Sequence, residues 1–326
     1  MRVALIGAGL SGITAARTLL ASGYEVAVFE KSRGPSGRMS TRRSEAWQAD
    51  HGAQYFTAKR PDFQAQVHDW CQQGLAAEWH GRIVNQGTRP PIQRFVGTPR
   101  MSALPAALSK PLRLHTEFTL TALTPTATPN GCQWQLTSKE HGPHEAPFDA
   151  VILSIPSPQL KPFEHHFPAT WREVIHGNTY SPCWTVMAGY TEPLTLEFDG
   201  RFMDEPSPLS WIARNHSKPG RTGPETWTLH ASPAFSTSHL EEDPQEVTDT
   251  LLQTFYALGA PKPDWVQTHR WRYALATNPR APSEQALWSP DLRLGLCGDW
   301  LSDGRIEGAW RSGLHCARQL LSHSTH

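Results

Sequence analysis

The chain has 326 residues, 38% hydrophobic and 18% charged, which is typical of a globular protein with one large or two interlocked domains. Lysine plus arginine and aspartate plus glutamate both number 30, so the formal net charge is zero. This balance argues against a nucleic-acid or anionic-membrane partner, since both need a basic surface. No apolar run reaches the roughly 18 residues of a membrane-spanning helix.

The cysteine pattern argues against disulfides and metal binding. The five cysteines are odd in number and include no C-x-x-C pair. The sixteen histidines include no H-E-x-x-H motif. We therefore expect reduced thiols, no metal site and a cytoplasmic location.

A dinucleotide fingerprint opens the chain. The apolar run Val3–Ile6 predicts a buried strand, and Gly7, Gly9 and Gly12 follow with G-x-G-x-x-G spacing before a helical pattern. The next strand, "YEVAVFE", ends at Glu30. In this fold an acidic residue ~20 residues after the first glycine binds the ribose diol, and Glu30 lies close to that position. The helix N-terminus then faces the phosphates, and the carboxylate disfavours a 2′-phosphate. The segment predicts FAD or NAD binding.

The loop after Glu30 contains Ser36-Gly37-Arg38, whose guanidinium could reach a pyrophosphate. A basic surface loop is the alternative interpretation. The loop resembles that of the flavoprotein superfamily of amine oxidases, phytoene desaturases and renalases, in which G-G-R packs against FAD. Here serine replaces the first glycine.

The middle of the chain returns to the nucleotide domain. "MSALPAAL" predicts a short helix, "FDAVILSIP" a return strand and "HLEEDPQEVTDTLLQTFYAL" an amphipathic helix. We expect an α/β protein with a Rossmann-like FAD-binding domain, of the glutathione reductase-2 or PHBH-like type, at 1–57, 98–157 and 291–326. An interleaved α+β substrate domain, built on a mixed sheet, is expected at 58–97 and 158–290.

A second glycine-containing turn lies in "LGLCGDWLSDGRIEGAWRSG" near the C-terminus. Its resemblance to the same superfamily implies that Asp299, after Gly298, holds a ribityl or ribose hydroxyl. It also implies that the helix-start backbone of Ile306, Glu307 and Gly308 faces the flavin C2=O, where a helix N-terminus stabilises negative charge. We therefore expect non-covalent FAD. The other residues expected at the cofactor are Leu10, Ser11, Lys31, Met39, Ala53, Gln54 and Phe118.

The candidate substrate segment is "ADHGAQYFTA", for which a strand with packed aromatic residues is the alternative interpretation. Together with "RFVGTPRMSAL", "WIARNHSKPGR", "TWTLHAS" and "HRWRYA", it resembles the bacterial renalase group in the same order over most of the chain. The resemblance implies that Gln54 and Tyr55 lie beside the flavin. The other expected substrate residues are Phe56, Trp184, Arg214, Asn215, His230 and Trp271, although each could instead be structural.

The substrate implied by this resemblance is a dihydronicotinamide dinucleotide isomer with its hydride at ring position 2 or 6. The hydride passes to flavin N5, and dioxygen reoxidises the flavin to give hydrogen peroxide. An amine oxidase is the rival interpretation. The absence of a lysine in the interior argues against it, because Lys218 and Lys262 adjoin prolines and are expected to be exposed. A flavin-binding redox protein without turnover is a second rival. The sequence does not indicate the oligomeric state.

Overall fold

The computed structural model describes residues 1–85, 87, 92–128, 131–277 and 285–323. Parts of the expected domains, at 86, 88–91, 129–130, 278–284 and 324–326, lie outside the described residues. The helices, numbered α1 to α7 in chain order, are Leu10–Ala21, Pro61–Gln72, Ala103–Ser109, Ala169–His176, Pro233–Ser238, Pro244–Tyr256 and Ile306–His323. The return strand and the amphipathic helix appear where the sequence predicts them.

The strands are numbered β1 to β19 in chain order. They are Arg2–Ile6, Glu25–Phe29, Thr41–Arg43, Gln48–Asp50, Ala76–Glu78, Ile83–Val84, Phe95–Gly97, Arg113–His115, Leu120–Thr128, Gly131–Ser138, Gly142–Pro143, Ala150–Leu153, Tyr180–Tyr190, Gly200–Phe202, Leu209–Arg214, Glu225–Ala231, Trp265–Ala276, Leu287–Ser289 and Leu294–Leu296.

The chain forms two compact units. The first unit comprises Met1–Gly37, Pro105–Thr179 and Ala276–His326, and the second comprises Arg38–Leu104 and Tyr180–Leu275. Residues 38–57 and 98–104, expected in the FAD-binding domain, therefore group with the second unit. Residues 158–179, 276–277 and 285–290 group with the first unit. The assignment of cofactor and substrate roles to the expected ranges stays a prediction.

The first unit is built on a sheet with strand order β18-β19-β12-β1-β2-β8. The strands β19, β12, β1, β2 and β8 pair in parallel, while β18 pairs antiparallel with β19. Strands β1 and β12 are fully apolar and buried from Val3 and Ala150 onward, as expected of a parallel sheet covered on both faces. Because β1 and β19 run in the same direction, the turns that follow them lie at the same edge of this sheet.

The second unit is built on a mixed sheet with strand order β17-β13-β16-β15-β14-β6. The pairs β13 with β16, β16 with β15 and β15 with β14 are antiparallel, and β6 pairs in parallel with β14. One face packs on an apolar core that includes Trp184, Trp227 and, from α6, Leu251 and Phe255. The expected Rossmann-like domain with an interleaved mixed-sheet domain is confirmed.

Candidate flavin and substrate sites

The first glycine-rich turn has no space for a side chain at two of its glycine positions. Gly7 has φ +102°, and a Cβ there would lie 2.5 Å from the Ser154 carbonyl oxygen. A Cβ on Gly12 would lie 2.1 Å from the Gly7 carbonyl oxygen, where helix α1 starts beside β1. Gly9 differs, because its Cβ would meet nothing within 4 Å and no side chain caps α1 there. The open space beside this helix start fits an approaching pyrophosphate.

Glu30 directly follows β2 and is buried, with 7% of its surface exposed. One carboxylate oxygen accepts a hydrogen bond from the Ala8 amide at 2.8 Å, and the other accepts one from the Ser32 amide at 2.9 Å. A carboxylate offers about four acceptor positions. The side chain is therefore fixed beside the first turn and retains capacity for the hydroxyls of a ribose.

Other cofactor candidates of the first unit lie near this turn. Gly37 has φ +53°, and its Cβ would lie 3.3 Å from the Gly9 Cα, so the two loops approach closely. The Phe118 amide donates to the Glu30 carbonyl, and its ring packs 4.6 Å from that of Phe29. Leu10 and Ser11 are buried in the first turn of α1, while Lys31 is exposed.

The C-terminal turn is also tightly packed. A Cβ on Gly298 would lie 2.5 Å from the Trp300 indole nitrogen, and Asp299 is buried with 4% exposed. Helix α7 begins at Ile306, and a Cβ on Gly308 would lie 2.3 Å from Asp303 Oδ1. Helices α1 and α7 also meet, because a Cβ on Gly313 would lie 2.1 Å from the Ser11 carbonyl. Both glycine-containing turns therefore belong to one packed region of the first unit.

In the second unit, the expected cofactor residues that follow Gly37 in the chain lie in a compact loop. The Ala53 amide donates to the Arg38 carbonyl at 2.8 Å, and a Cβ on Gly52 would lie 2.0 Å from the same oxygen. Arg38 donates to the Ala274 carbonyl at 3.2 Å, and Met39 is buried. This loop leads directly to the buried polar residues of strand β4.

Asp50, at the end of β4, lies in a buried ionic network. Its Oδ2 pairs with Arg221 at 2.6 Å and with Lys218 at 3.5 Å, while its Oδ1 accepts from Thr41 at 2.6 Å. Burial alone would raise the pKa of Asp50, but the two cations and their hydrogen bonds lower it to about 2. Burial lowers the pKa of Lys218 to about 8, against the opposing effect of Asp50. Asp50 is thus held as a carboxylate between two cations.

Gln54 is buried beside this network, and Tyr55 lies among aromatic rings. The Gln54 carboxamide nitrogen donates to the carbonyls of Asp50 and Gly52, at 2.6 and 3.0 Å. The Tyr55 ring lies 6.2 Å from Trp79 and 5.6 Å from Trp211. We name Tyr55, Trp79 and Trp211 the aromatic cluster.

Three histidines form a second group, and two of them, His51 and His269, lie beside Trp271. The His51 ring lies 5.2 Å from Trp271 and 4.9 Å from His269, and the Trp271 indole donates to the His51 carbonyl at 3.0 Å. Burial is the main cause that lowers the pKa of His51 to about 3 and those of His230 and His269 to about 4. These imidazoles are therefore neutral near pH 7. We name His51, His230 and His269 the histidine cluster.

Comparison with known families decides the relationship. Residues 75–321 match the family described as flavin containing amine oxidoreductase, and residues 5–73 match the NAD(P)-binding Rossmann-like domain. The chain belongs to the flavin containing amine oxidoreductase family. Membership of this family, together with turns that fit the cofactor, confirms the prediction that the cofactor is FAD.

Three curated relatives match short parts of this chain. A flavin-containing monooxygenase ustF2 of Aspergillus flavus is 47% identical over 55 residues, or 14% of this chain and 11% of the relative. An L-amino-acid oxidase of Sistrurus catenatus edwardsii is 45% identical over 51 residues, or 16% and 10%. A 4,4'-diapophytoene desaturase of Staphylococcus aureus is 34% identical over 71 residues, or 22% and 14%. The chain thus aligns with about a tenth of the length of these relatives.

Solved structures share the fold over nearly the whole chain. A cyclohexylamine oxidase from Brevibacterium oxydans superposes with a TM-score of 0.78 and 13% identity, covering 100% of this chain and 99% of that one. A putrescine oxidase variant gives 0.77 and 12%, covering 98% of both chains. A putative protoporphyrinogen oxidase from Exiguobacterium sp. 255-15 gives 0.76 and 14%, covering 98% and 99%. At these identities the likeness establishes the fold alone.

Three of the expected substrate residues of this chain make structural contacts, and their role at a substrate stays a prediction. Trp184 is 2% exposed in the core of the second unit, with its indole donating to the His239 carbonyl. Arg214 pairs with Glu225 at 3.1 Å and with Asp199 at 3.8 Å. Phe56 is 3% exposed and packs against Phe63, Trp70 and Phe95.

Asn215 is also part of the polar network, because its Oδ1 accepts from the Asp50 amide at 3.1 Å and its Nδ2 donates to Thr228 at 2.8 Å. His230 and Trp271 remain substrate candidates.

The expected exposure of Lys218 is wrong, since its side chain is 0% exposed, whereas Lys262 is exposed. Asp50, His51 and His269 were not among the site residues expected from the sequence. The only available signal was that Asp50 and His51 stand in the same segment as Gln54 and Tyr55.

Within the ranges that the structure describes, no group of three or more His, Cys, Asp or Glu residues is arranged to hold a metal ion. Among the same residues, no helix combines the length and apolar character needed to cross a membrane. The five cysteines are free thiols.

Proposed function

We propose that this protein is an FAD-dependent oxidase of the renalase type, which oxidises 2- or 6-dihydro isomers of NAD(P) and uses dioxygen as electron acceptor. When bound non-covalently, FAD supplies the hydride acceptor and its reoxidation by dioxygen yields hydrogen peroxide. The ordered set of segments around "DHGAQYFTA", "RFVGTPRMSAL" and "GDWLSDGRIEGAW" supports this choice by its resemblance to bacterial renalases.

The observation that carries the proposal is the positive charge around the aromatic cluster. The Arg94 guanidinium carbon lies 5.1 Å from the Tyr55 ring centre, and Lys218 Nζ lies 5.8 Å from that of Trp79. A protonated amine would compete with these cations for the same ring faces and would be repelled by them. A dinucleotide is anionic through its phosphates, so the same charges attract it.

In this proposal, the substrate contacts Gln54, Tyr55, His230 and Trp271. Trp271 offers an aromatic face for a planar ring. His230 Nε2 is buried and has no hydrogen-bond partner among the described residues, so a neutral imidazole can bond to a carboxamide without adding charge. Hydride transfer depends mainly on alignment, which aromatic rings and neutral hydrogen-bonding groups can supply.

An amine oxidase is the second candidate. The buried Lys218 favours it, because the absence of a lysine in the interior was the main argument against an amine substrate. The charge around the aromatic cluster favours the dinucleotide instead. The two candidates therefore predict opposite responses when that charge is reduced.

Anaerobic stopped-flow at 450 nm tests the proposal. We expect 2- or 6-dihydro NAD(P) to bleach the flavin about 10²-fold faster than ordinary 4-dihydro NADH, because a shift of about 1 Å in the reacting carbon has that effect. Arg94→Gln should weaken binding of the dihydronicotinamide. Faster bleaching by a simple amine, and tighter amine binding by Arg94→Gln, would establish the amine oxidase. No bleaching by any of these compounds would favour a redox protein without turnover.

A further inference from the structure

The segment 215–221, which we name the 215–221 loop, carries a lysine into the interior of the second unit. Lys218 is flanked by Ser217 and Pro219, and its side chain is 0% exposed. A lysine is almost never fully buried unless it is paired. Its burial in a polar, proline-containing loop therefore requires a specific set of partners.

Lys218 Nζ makes its shortest contact with Gln54. It donates to Gln54 Oε1 at 2.9 Å and to Asn215 Oδ1 at 3.2 Å, whereas Asp50 Oδ2 lies 3.5 Å away. Arg221 approaches the same Asp50 oxygen more closely, at 2.6 Å. Charge compensation of Asp50 alone thus does not explain why the closest partner of Lys218 is an uncharged carboxamide.

These contacts permit one orientation of the Gln54 carboxamide. Its oxygen accepts from Lys218, and its nitrogen donates to the carbonyls of Asp50 and Gly52. A flipped carboxamide would place its NH₂ group against the ammonium group and its oxygen against two carbonyl oxygens. The ammonium group therefore fixes which end of Gln54 points in each direction.

The same loop also holds one ring of the aromatic cluster. Ser217 Oγ accepts a hydrogen bond from the Trp79 indole at 3.1 Å, and Trp79 lies 6.2 Å from Tyr55. Adjacent residues of one loop thus hold Gln54 and a neighbour of Tyr55. We infer that Lys218 is a positioning residue, which orients the Gln54 carboxamide for the reaction; this inference rests on the proposed function only in the role given to Gln54.

A double-mutant cycle tests the inference. The variants are Lys218→Met, Gln54→Leu and their combination, with Lys262→Met as control because Lys262 is also followed by proline but is exposed. If the two residues act through each other, the unfolding constant of the double variant should be about tenfold smaller than independent effects predict. This measurement uses the FAD-loaded protein and needs no substrate.

Flavin reduction provides the second readout. With whichever reductant bleaches the flavin, we expect Lys218→Met to lower the limiting reduction rate constant about tenfold or more. Its substrate dissociation constant should change less than about threefold, and adding Lys218→Met to Gln54→Leu should have no further effect. Lys218→Gln keeps a donor and should recover part of the rate. The Lys262→Met variant should match the parent.

The outcomes separate this inference from the proposed function. Independent effects on unfolding, or a parental reduction rate in Lys218→Met, would overturn the positioning role. If no reductant bleaches the flavin, the proposed function fails while the unfolding cycle still tests the contact. If Lys218→Met does not fold, Lys218→Arg replaces it, because it keeps the charge beside Asp50 but displaces the donor from Gln54.

Discussion

The glycine-containing turns of the first unit and the polar network of the second unit are both buried, but they are built differently. At Gly7 and Gly12, the backbone itself fills the space, and a single Cβ would collide with a carbonyl oxygen. Around Asp50, side chains from distant segments supply the contacts, including Lys218 and Arg221. The turns therefore depend on glycines, which have no side chain. The polar network depends instead on contacts between side chains from distant parts of the chain.

Removing the charge of Asp50 should break the network most strongly. Asp50→Asn leaves Lys218 and Arg221 buried with no carboxylate between them, which should destabilise the protein by about 3 to 5 kcal/mol. Urea unfolding at pH 7 measures this loss. Glu241→Gln is the control, because Glu241 pairs with Arg270 and Arg272 at an exposed site and should matter little. Equal effects of the two substitutions would contradict the importance of burial.

The contrast between these regions explains what the sequence could predict. Strand β1, the glycine spacing and Glu30 lie within one short segment, so their local pattern predicts their arrangement. The burial of Lys218 could not be predicted, because its partners Asp50 and Gln54 lie far away in the chain and its own neighbours are polar. The ion pairs of Arg214 could not be predicted for a similar reason, since Asp199 and Glu225 approach it only in the folded second unit. Residue type alone does not identify such partners.

Glu30→Ala should weaken FAD retention with less effect on the fold. The substitution removes a charged acceptor for the proposed ribose hydroxyls, and each charge-assisted hydrogen bond contributes about 1.5 to 3 kcal/mol. Equilibrium dialysis, followed by 450 nm absorbance, measures the FAD dissociation constant. Glu25→Ala is the matched control, since Glu25 begins the same strand but is exposed. Unchanged FAD affinity in Glu30→Ala would remove the ribose assignment.

Two alanine substitutions in the first turn separate packing from cofactor binding. Gly12→Ala should destabilise the FAD-free protein by about 1 to 3 kcal/mol, because its Cβ would lie 2.1 Å from a carbonyl oxygen. Gly9→Ala should leave the FAD-free protein intact, because its Cβ meets nothing within 4 Å, but should lower FAD affinity. Thermal unfolding with and without FAD distinguishes the two effects. If Gly9→Ala retains parental FAD affinity, the pyrophosphate does not approach the backbone there.

The histidine cluster should produce a smaller, pH-dependent effect. Burial holds the pKa of His230 at about 4 in the folded state, below the ordinary histidine value of about 6.5. Between these values the unfolded chain binds the proton and the folded protein does not, so stability falls as pH drops from about 6.5 towards 4. His230→Gln should remove about 1 kcal/mol of that pH-dependent loss. Urea unfolding at pH 7 and pH 5 measures it, and His68→Gln, at an exposed position of α2, should keep the parental pH dependence. A parental pH dependence in His230→Gln would mean that the remaining histidines or other groups account for the acid sensitivity.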